Sequence, residues 1–307
     1  MKLHQLKYIY EVANRDLNVS DAADALFTSQ PGVSKQIRLL EDEIGVPIFT
    51  REGKRLTRIT PAGEQILMRT QNILRDIESI KLIGEEFKQE TSGTLTIATT
   101  HTQARYALPK VIEKFVQQFP RVKLFLKQGY PEEITKMVVD GDAELVIATE
   151  AIPHTKDLVA LPWYQWNRCA LTLPDHPLLG IKQVALSDVA AYPIITYDFA
   201  FAGRTLVSDT FVKENLKPNI VFTALDSDVI KTYVELGLGI GLVAKMAFDP
   251  KKDDALRMVD LGHLFPSSTA WVGLRKNAFL RSYVYRFLEE LAPHLDSESV
   301  KSALQSD

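Results

Sequence analysis

Residues 18–60 read NVSDAADALFTSQPGVSKQIRLLEDEIGVPIFTREGKRLTRIT, and this stretch decides the fold of the N-terminal part of the chain. Asn18 or Ser20 can accept a hydrogen bond from a free backbone N–H, and Asp21 adds negative charge where a helix dipole favours it. The alanines that follow supply a face of small side chains, which lets a second short helix approach closely. The stretch therefore predicts a short helix packed against a close neighbour.

A second helix is predicted from Ser29 to about Glu43. Ser29 is suited to cap this helix, and Pro31 falls in its first turn, where a missing N–H costs nothing. Apolar residues recur at helical spacing and should face inward, at Val33, Ile37, Leu40 and Ile44. The outward face carries hydrogen-bond donors and no acid, at Gln30, Ser34, Lys35 and Arg38.

Residues 49–58 predict two short strands around a glycine turn, and their side chains include four basic residues and one acid. Lys, Arg and Gln can read base edges in the major groove of DNA, while Ser and backbone N–H groups hold phosphates. A basic hairpin can lie along the phosphate backbone beside such a helix. We therefore predict a winged helix-turn-helix that binds DNA through Ser29, Gln30, Pro31, Ser34, Lys35, Arg38, Arg51, Lys54 and Arg55. For the helix face alone, an ordinary solvated surface is the alternative.

The whole chain has 307 residues, 46% of them hydrophobic, and a formal net charge of −3. This length predicts two or three domains, and the weak net charge means that any basic surface is local. Cys169 is the only cysteine, which argues against a disulfide framework or a thiolate metal cluster. No signal peptide and no apolar run near the ~20 residues of a spanning helix are evident. We expect a cytoplasmic protein without a metal, a cofactor, catalytic residues or a membrane partner.

A long helix is predicted after the hairpin, as a linker over residues 61–90. Its apolar residues Ile66, Ile73, Ile80 and Phe87 recur every seven positions. A heptad stripe of this length indicates a partner helix, and we favour a second copy of the chain. The alternative is that the stripe packs on its own domain.

The rest of the chain, residues 91–307, alternates predicted strands and helices, which indicates an α/β architecture. The alternation of strands and helices is interrupted around residues 163–169. This interruption predicts two lobes, with the chain passing from one to the other twice. Lobe I would comprise about 91–162 and 266–295, and lobe II about 163–265. A cleft between such lobes commonly holds a small ligand. Residues 297–307 are polar and predict a frayed end.

Polar side chains follow three of the predicted strands, at the strand ends where ligands collect in α/β sheets. They lie at residues 99–103, at 149–150 and at 197–204. The first group leads into a helix, so its backbone N–H groups and side chains could hold an anion without a lysine. Neutral donors of this kind suit sulfate or a carboxylate. Ordinary helix capping is the alternative for any one of the three ends.

Several N-terminal motifs resemble those of the LysR-type bacterial transcription regulators. They are TSQPGVS at 28–34, LLEDEIG at 39–45, Phe49-x-Arg51 and TPAG at 60–63. The resemblance implies a winged helix-turn-helix, a linker helix and a two-lobed effector domain similar to periplasmic solute-binding proteins. The expected fold is therefore α+β and multidomain, with residues 1–60 as the DNA-binding domain.

Motifs over nearly the full length resemble the CysB/Cbl subfamily of these regulators. They are TTHTQARYALP at 99–109, ATEA at 148–151, WNR at 166–168, IVFTA at 220–224, DVIKTYV at 228–234 and FLRSY at 279–283. The resemblance implies a homotetrameric activator, a dimer of dimers, of sulfate-assimilation and cysteine-biosynthesis promoters. It also implies partnership with RNA polymerase, induction by O-acetylserine or N-acetylserine, and opposition by sulfide or thiosulfate, with sulfate able to occupy the pocket.

By this resemblance Thr100, Thr102, Gln103 and Thr149 match anion-binding positions. We extend the expected effector-binding set to the neighbouring residues His101, Trp166, Phe201 and Ala202. The chain departs from the subfamily at Ala202, where a threonine is expected, and it carries an acid nearby at Asp198. One hydroxyl contact would be lost, and the acid could favour an amino-bearing ligand such as O-acetylserine over a bare dianion.

Two alternative functions stay open. One is a Cbl-like regulator of organosulfur genes that responds to sulfur starvation rather than to acetylserine. The other, more remote, is a small-molecule binding protein or enzyme whose N-terminal unit serves association only. Catalysis would require a nucleophile with a base, or a set of metal ligands, and the sequence pairs no histidine and carboxylate beside its Ser and Thr residues.

Overall fold

A computed structural model describes residues 1–53, 55–87, 92–149, 151–198 and 202–305, without the side chains of residues 202–205. The chain divides into two compact units, Met1–Phe87 and Lys88–Asp307. Each unit has hydrophobic core clusters of its own. No helix among the described residues is long and apolar enough to cross a membrane.

In its described part, the first unit contains three short helices, a hairpin and one long helix. In chain order they are α1 (Leu3–Asn14), α2 (Val19–Ala25), α3 (Gln30–Ile44), β1 (Phe49–Glu52), β2 (Arg55–Ile59) and α4 (Pro61–Phe87). Strands β1 and β2 pair antiparallel. Apolar side chains of α1, α2, α3 and the hairpin form one core. The predicted winged helix-turn-helix and the long helix after it are thus confirmed.

Side-chain caps begin both helices of the predicted pair. Asn18 Oδ1 accepts hydrogen bonds from the backbone N–H groups of Ser20 at 3.0 Å and Asp21 at 3.3 Å. Ser29 Oγ accepts one from the N–H of Gly32 at 3.3 Å. These contacts satisfy donors that have no partner within the helix. The two helix starts therefore follow from local sequence.

The inward face of α3 is shorter than predicted. Val33, Ile37 and Leu40 are buried in the core, but Ile44 is 37% exposed, so its predicted inward position is wrong. The helix ends at Ile44 because Gly45 adopts a left-handed conformation with φ 82°. The chain turns away at that point, and Ile44 lies beyond the edge of the core.

The heptad stripe of α4 divides into a packed and an exposed part. Ile66 and Leu67 pack against the core of the first unit. Further along, Ile73, Ile80 and Phe87 are 39%, 67% and 84% exposed. Packing within its own unit therefore accounts only for the start of the stripe.

The described residues of the second unit form two five-stranded sheets. Its strands are β3 (Gly93–Thr99), β4 (Val122–Gln128), β5 (Leu145–Thr149), β6 (Leu158–Trp166), β7 (Arg168–Thr172), β8 (Pro193–Tyr197), β9 (Asn219–Ala224), β10 (Ile240–Ala244), β11 (Arg257–Asp260) and β12 (Ser268–Arg275). The first sheet has the order β4-β3-β5-β12-β6 and the second β11-β7-β10-β8-β9. We call them, with the helices that cover them, the first and second lobes. In each sheet, four strands run in one direction and one, β12 or β7, runs antiparallel to them between two neighbours.

Helices connect the strands and cover the sheets. They are α5 (Pro109–Gln118), α6 (Pro131–Asp140), α7 (Leu186–Ala190), α8 (Ala202–Lys213), α9 (Ser227–Glu235), α10 (Ser282–Leu291) and α11 (Ser297–Gln305). A π-helical turn, Gln103–Ala107, precedes α5. Short 3₁₀ turns lie at Ile152–His154, Pro177–Gly180 and Lys245–Ala247. The predicted two-lobed α/β architecture is confirmed.

Two details differ from the sequence expectations. Strand β6 continues in the first sheet to Trp166, so the lobe boundary predicted near residue 163 falls inside a strand. The end predicted to fray instead forms α11 over Ser297–Gln305. Val300 and Leu304, four residues apart, lie on one face of that helix and are buried in the core of the first lobe.

Candidate functional site

The N-cap of α3 and the outward face of this helix hold six of the residues predicted to bind DNA. Ser29 caps the helix, and Gln30 Nε2 donates a hydrogen bond to Ser34 Oγ at 3.1 Å. Lys35 and Arg38 are exposed one turn further along the same face, and Pro31 is exposed in the first turn. The face therefore presents hydroxyl, amide and cationic donors together, as a helix that enters the major groove requires.

Arg51, also predicted to bind DNA, has a partner within the fold. Its Nη2 donates to Glu41 Oε2 at 2.6 Å. The other carboxylate oxygen of Glu41 accepts the backbone N–H groups of Ile48 at 2.8 Å and Phe49 at 3.1 Å. Glu41 is only 7% exposed, so a buried carboxylate joins the end of α3 to the hairpin. Sequence reasoning missed this role, although Glu41 follows buried Ile37 by four residues.

Arg55, on the second strand of the hairpin, is exposed. It lines a groove together with Arg15, Asn18 and Gln30. The start of α3 and the hairpin therefore border one polar groove, with donors on both walls. Lys54, the remaining predicted DNA contact, lies outside the described residues.

Within the second unit, one edge of the first sheet gathers the predicted effector residues. Strands β3 and β5 run parallel with Thr99 opposite Ile147, so Thr100 and Thr149 lie at the same edge. Antiparallel β12 places Ala270 opposite both Thr149 and Tyr164. This register brings β6, which ends at Trp166, to that edge.

Hydrogen bonds determine which polar atoms this edge offers to a ligand. Trp166 Nε1 donates to Thr149 Oγ1 at 3.3 Å, and Tyr164 Oη donates to Gln103 Oε1 at 2.7 Å. Because an indole N–H can only donate, the Thr149 hydroxyl accepts there, and its own hydrogen can be donated elsewhere. The Gln103 carbonyl is likewise used, which leaves its amide N–H groups to donate. The edge therefore suits a ligand rich in acceptors, such as an anion or a carboxylate.

The facing edge of the second sheet is centred on Tyr197 at the end of β8. Its Oη lies 2.6 Å from Ser227 Oγ and accepts the N–H of Ala244 at 3.3 Å. Burial raises the pKa of Tyr197, so the phenol is neutral near pH 7. The side chain of Thr102, from the first lobe, lies close enough to Tyr197 to oppose that rise in pKa. Thr102 therefore connects the two lobes.

A second contact between the lobes surrounds Asp228. Tyr106 Oη donates to Asp228 Oδ1 at 2.5 Å, and Arg105 Nε lies 3.2 Å from Oδ2. His101 Nε2 is 4.0 Å from Oδ2, and Lys231 Nζ is 3.8 Å from Oδ1. Burial alone would raise the pKa of Asp228, but the Tyr106 hydrogen bond and the nearby cations hold it below its ordinary range. Burial and the Asp228 contact raise the pKa of Tyr106.

The predicted effector residues fall into three groups: five near the strand ends of the two sheets, one beside Asp228, and two whose side chains are not described. Contacts join Thr149 to Trp166, Gln103 to Tyr164 and Thr102 to Tyr197, while Thr100 is buried at the end of β3. His101 lies towards Asp228 instead. Phe201 lies outside the described residues, and Ala202 begins α8 with a side chain that is not described.

Four residues of this region were missed by sequence reasoning: Tyr106, Tyr164, Asp228 and Lys231. A signal existed for Tyr164, because residues two apart in a strand share a face and Trp166 was already a candidate. No three His, Cys, Asp or Glu side chains in the described part of the chain are placed to hold a metal ion.

Both units match family models. Residues 3–64 match the bacterial regulatory helix-turn-helix protein, lysR family, and residues 88–296 match the LysR substrate binding domain. The chain is 49% identical to the HTH-type transcriptional regulator CysB of Burkholderia cenocepacia, over 100% of this chain and 98% of that protein. It is 47% identical to the regulator SsuR of the same organism, over 99% of each.

A solved structure gives a similar result for the second unit. The cofactor-binding domain of the Cbl transcriptional regulator superposes with a TM-score of 0.68 and 45% sequence identity. The match covers 71% of this chain and 96% of that domain. The two-lobed architecture and the sequence similarity therefore point to the same group of proteins.

Proposed function

The chain belongs to the LysR family of bacterial transcriptional regulators, and we propose that it activates genes of sulfate assimilation and cysteine biosynthesis under effector control. In this proposal it binds promoter DNA and responds to O-acetylserine or N-acetylserine. Sulfate, thiosulfate and sulfide act as competing effectors. The protein works in the cytoplasm, where it contacts RNA polymerase, and it performs no catalysis.

The outward face of α3 carries the DNA-binding part of this proposal. Gln30, Ser34, Lys35 and Arg38 share one face of a helix whose opposite face is buried. Arg55 of the hairpin lines a groove with Gln30, at the start of that face. Such a face combines base-reading amide and cationic groups with phosphate-binding ones. Arg51 contributes by holding the hairpin against α3 through Glu41.

The donor-lined edge of the first sheet supports the effector part. Acetylserine presents a carboxylate and an acetyl carbonyl, and sulfate presents only acceptor oxygens. Both suit the Thr149 hydroxyl and the Gln103 amide, whose acceptor atoms are already used by Trp166 and Tyr164. Asp198, after β8, would pair with the amino group of O-acetylserine, and Ala202 removes one hydroxyl from the set expected for a dianion.

For the division of labour along the chain, we propose that residues 1–60 read DNA, 61–90 pair two copies, and 91–307 hold the effector. The exposed side chains of Ile73, Ile80 and Phe87 support pairing, because a second helix would remove them from water. A dimer of dimers would then place two pairs of DNA-reading units along a promoter.

A second candidate is a regulator of organosulfur-use genes that responds to sulfur starvation. The observation in its favour is the similarity to SsuR and to the Cbl effector domain, at 47% and 45% identity. The 49% identity to CysB is too close to these values to separate the two functions.

Promoter footprinting combined with calorimetry on the full chain tests the proposal. O-acetylserine, N-acetylserine, sulfate and thiosulfate would be titrated separately, first into the protein alone and then into the protein–promoter complex. We expect at least one acetylserine to bind and to change the footprint on a cysteine-biosynthesis promoter. A normal footprint that responds to sulfate alone favours the second candidate, and a protein that binds no promoter contradicts both.

A further inference from the structure

Beyond the residues that line the cleft, Tyr106 and Asp228 connect one lobe to the other. Tyr106 belongs to the π-helical turn before α5, in the first lobe, and Asp228 is the second residue of α9, in the second. Their 2.5 Å hydrogen bond spans 122 residues of sequence. The ring of Tyr106 also packs against a core cluster of the second lobe that includes Cys169, Ile195 and Ile230. Tyr106 is therefore anchored on the opposite lobe by its ring and its hydroxyl.

The acceptor of this hydrogen bond is held in place by charge. Asp228 lies in the first turn of α9, where the helix dipole favours a negative charge. A hydrogen bond from a neutral hydroxyl to a carboxylate is stronger than one between neutral groups. Arg105 supplies a second contact from the first lobe, at 3.2 Å. Two donors of the first lobe, Tyr106 and Arg105, therefore bind one carboxylate of the second lobe, and the charge of that carboxylate strengthens both contacts.

Lys231 supports the same contact from within the second lobe. Its Nζ lies 2.8 Å from Asp253 Oδ2, 3.3 Å from Tyr106 Oη and 5.1 Å from the centre of the Tyr106 ring. The Lys231 side chain is 9% exposed, so its position is determined by these partners. It thus fixes the site on the second lobe into which Tyr106 fits.

The turn that carries Tyr106 also carries a cleft residue. Gln103 begins the π-helical turn Gln103–Ala107 and is buried against Tyr164. Tyr106 follows Gln103 by three residues within that one turn. If the turn shifts relative to the second lobe, the Gln103 amide is therefore displaced as well. Single π-helical turns of this kind occur frequently at functional sites.

We propose that Tyr106 and Asp228 are positioning residues of the effector cleft, which hold the lobes together and keep the Gln103 amide directed at a bound effector. The proposal rests on the proposed function, since it assumes that an acceptor-rich effector occupies the cleft. Without the contact between Tyr106 and Asp228, effector binding must also supply the free energy that brings the lobes together. The affinity for the effector therefore falls.

A first experiment needs no effector. Hydrogen exchange of the full chain, followed by mass spectrometry, would be compared between the wild type and Tyr106→Phe. We expect faster exchange in residues 101–108 and 226–235 together, because each segment loses its partner on the other lobe. Tyr285→Phe, which alters a half-buried phenol of α10, is the matched control and should leave both segments unchanged. Faster exchange confined to residues 101–108 would show that the hydroxyl has only a local role.

A second experiment measures affinity for sulfate and for O-acetylserine by calorimetry. Tyr106→Phe and Asp228→Asn should each weaken binding by about threefold to tenfold, and the double variant should be little worse than either single one. Asp228→Glu, which keeps the charge but changes the length, should recover most of the affinity that Asp228→Asn loses. If the isosteric Asn is tolerated better than Glu, packing rather than the charged contact matters, and the proposal is wrong.

The two experiments separate this inference from the function on which it rests. A wild-type protein that binds neither probe contradicts the proposed effectors, while the exchange result still decides whether the contact joins the lobes. Unchanged affinities in all variants of a protein that does bind the probes would overturn the positioning role.

Discussion

The buried carboxylate of Glu41, near the end of α3, forms an ion pair with Arg51 of the hairpin, with 2.6 Å between Oε2 and Nη2. Its second oxygen accepts the backbone N–H groups of Ile48 and Phe49, where the hairpin begins. One side chain thus satisfies three donors and sets the position of the hairpin relative to the helix.

Replacing this carboxylate should destabilise the first unit. Glu41→Ala leaves two buried N–H groups and a half-buried guanidinium without their acceptor, so we expect a loss of about 2–5 kcal/mol in the free energy of unfolding. Asp42→Ala, at the exposed neighbouring position, should change it by less than about 0.5 kcal/mol. Urea denaturation followed by circular dichroism measures both values. Equal stabilities of the two variants would refute the role assigned to Glu41.

Local signals in the sequence predict some of these features and not others. The caps at Asn18 and Ser29 depend on adjacent residues, and the structure contains both. Glu41 looks like part of a solvated acidic run with its two neighbours, although helical spacing from Ile37 places it inward. The contact between Tyr106 and Asp228 joins positions 122 residues apart, and no periodicity within either segment indicates the other.

Removing a cation from the outward face of α3 should weaken DNA binding. Lys35→Ala and Arg38→Ala should each weaken the free energy of DNA binding by about 1–3 kcal/mol. If the lost contact is to a phosphate, the slope of log affinity against log salt concentration should also fall in magnitude by about 1. Effector affinity should stay unchanged, because the cleft lies within the second unit. Gel retardation at several salt concentrations measures the effect, with Lys7→Ala on α1 as an exposed control. Wild-type retardation by both variants would exclude this face from the DNA interface.

The Thr149 hydroxyl should act as a donor to the effector. Thr149→Val keeps the shape of the side chain, removes that donor, and leaves Trp166 Nε1 without its acceptor. We expect acetylserine or sulfate affinity to fall by about 1–3 kcal/mol, with DNA binding retained. Thr155→Val is the control, since the Thr155 hydroxyl donates to the backbone oxygen of Ala151 across the 3₁₀ turn Ile152–His154. Calorimetric dose curves that match the wild type would argue against a ligand contact at Thr149.

A charge placed on the exposed part of the heptad stripe should reduce self-association. Ile80 is 67% exposed on α4, so Ile80→Glu should change monomer stability by less than about 0.5 kcal/mol. Buried between two copies, the same carboxylate would be costly. Light scattering after gel filtration should show smaller particles for Ile80→Glu than for Lys81→Glu, which adds negative charge beside the stripe. An unchanged mass would show that α4 does not pair through Ile80.

Cys169 should be inert towards thiol reagents in the folded protein. It is fully buried in β7, and burial raises the pKa of its thiol to about 12, with a further contribution from the charge of Asp260. Hardly any thiolate is present near neutral pH, and a reagent has no access to the sulfur. Labelling with a disulfide reagent should be slow in the native chain and fast in denaturant. An introduced surface thiol, Lys182→Cys, provides the rate for an accessible group.

The position of β12 has a consequence for synthesis on the ribosome. This strand lies between β5 and β6, yet its residues, Ser268–Arg275, are translated after the whole second sheet. The second lobe can therefore assemble while the first still lacks a central strand, with the edges of β5 and β6 open to water or to another nascent chain. A translational pause within residues 261–275, after β11 and before β12 is complete, would prolong that exposed intermediate, so codon changes there should affect aggregation more than changes elsewhere in the gene.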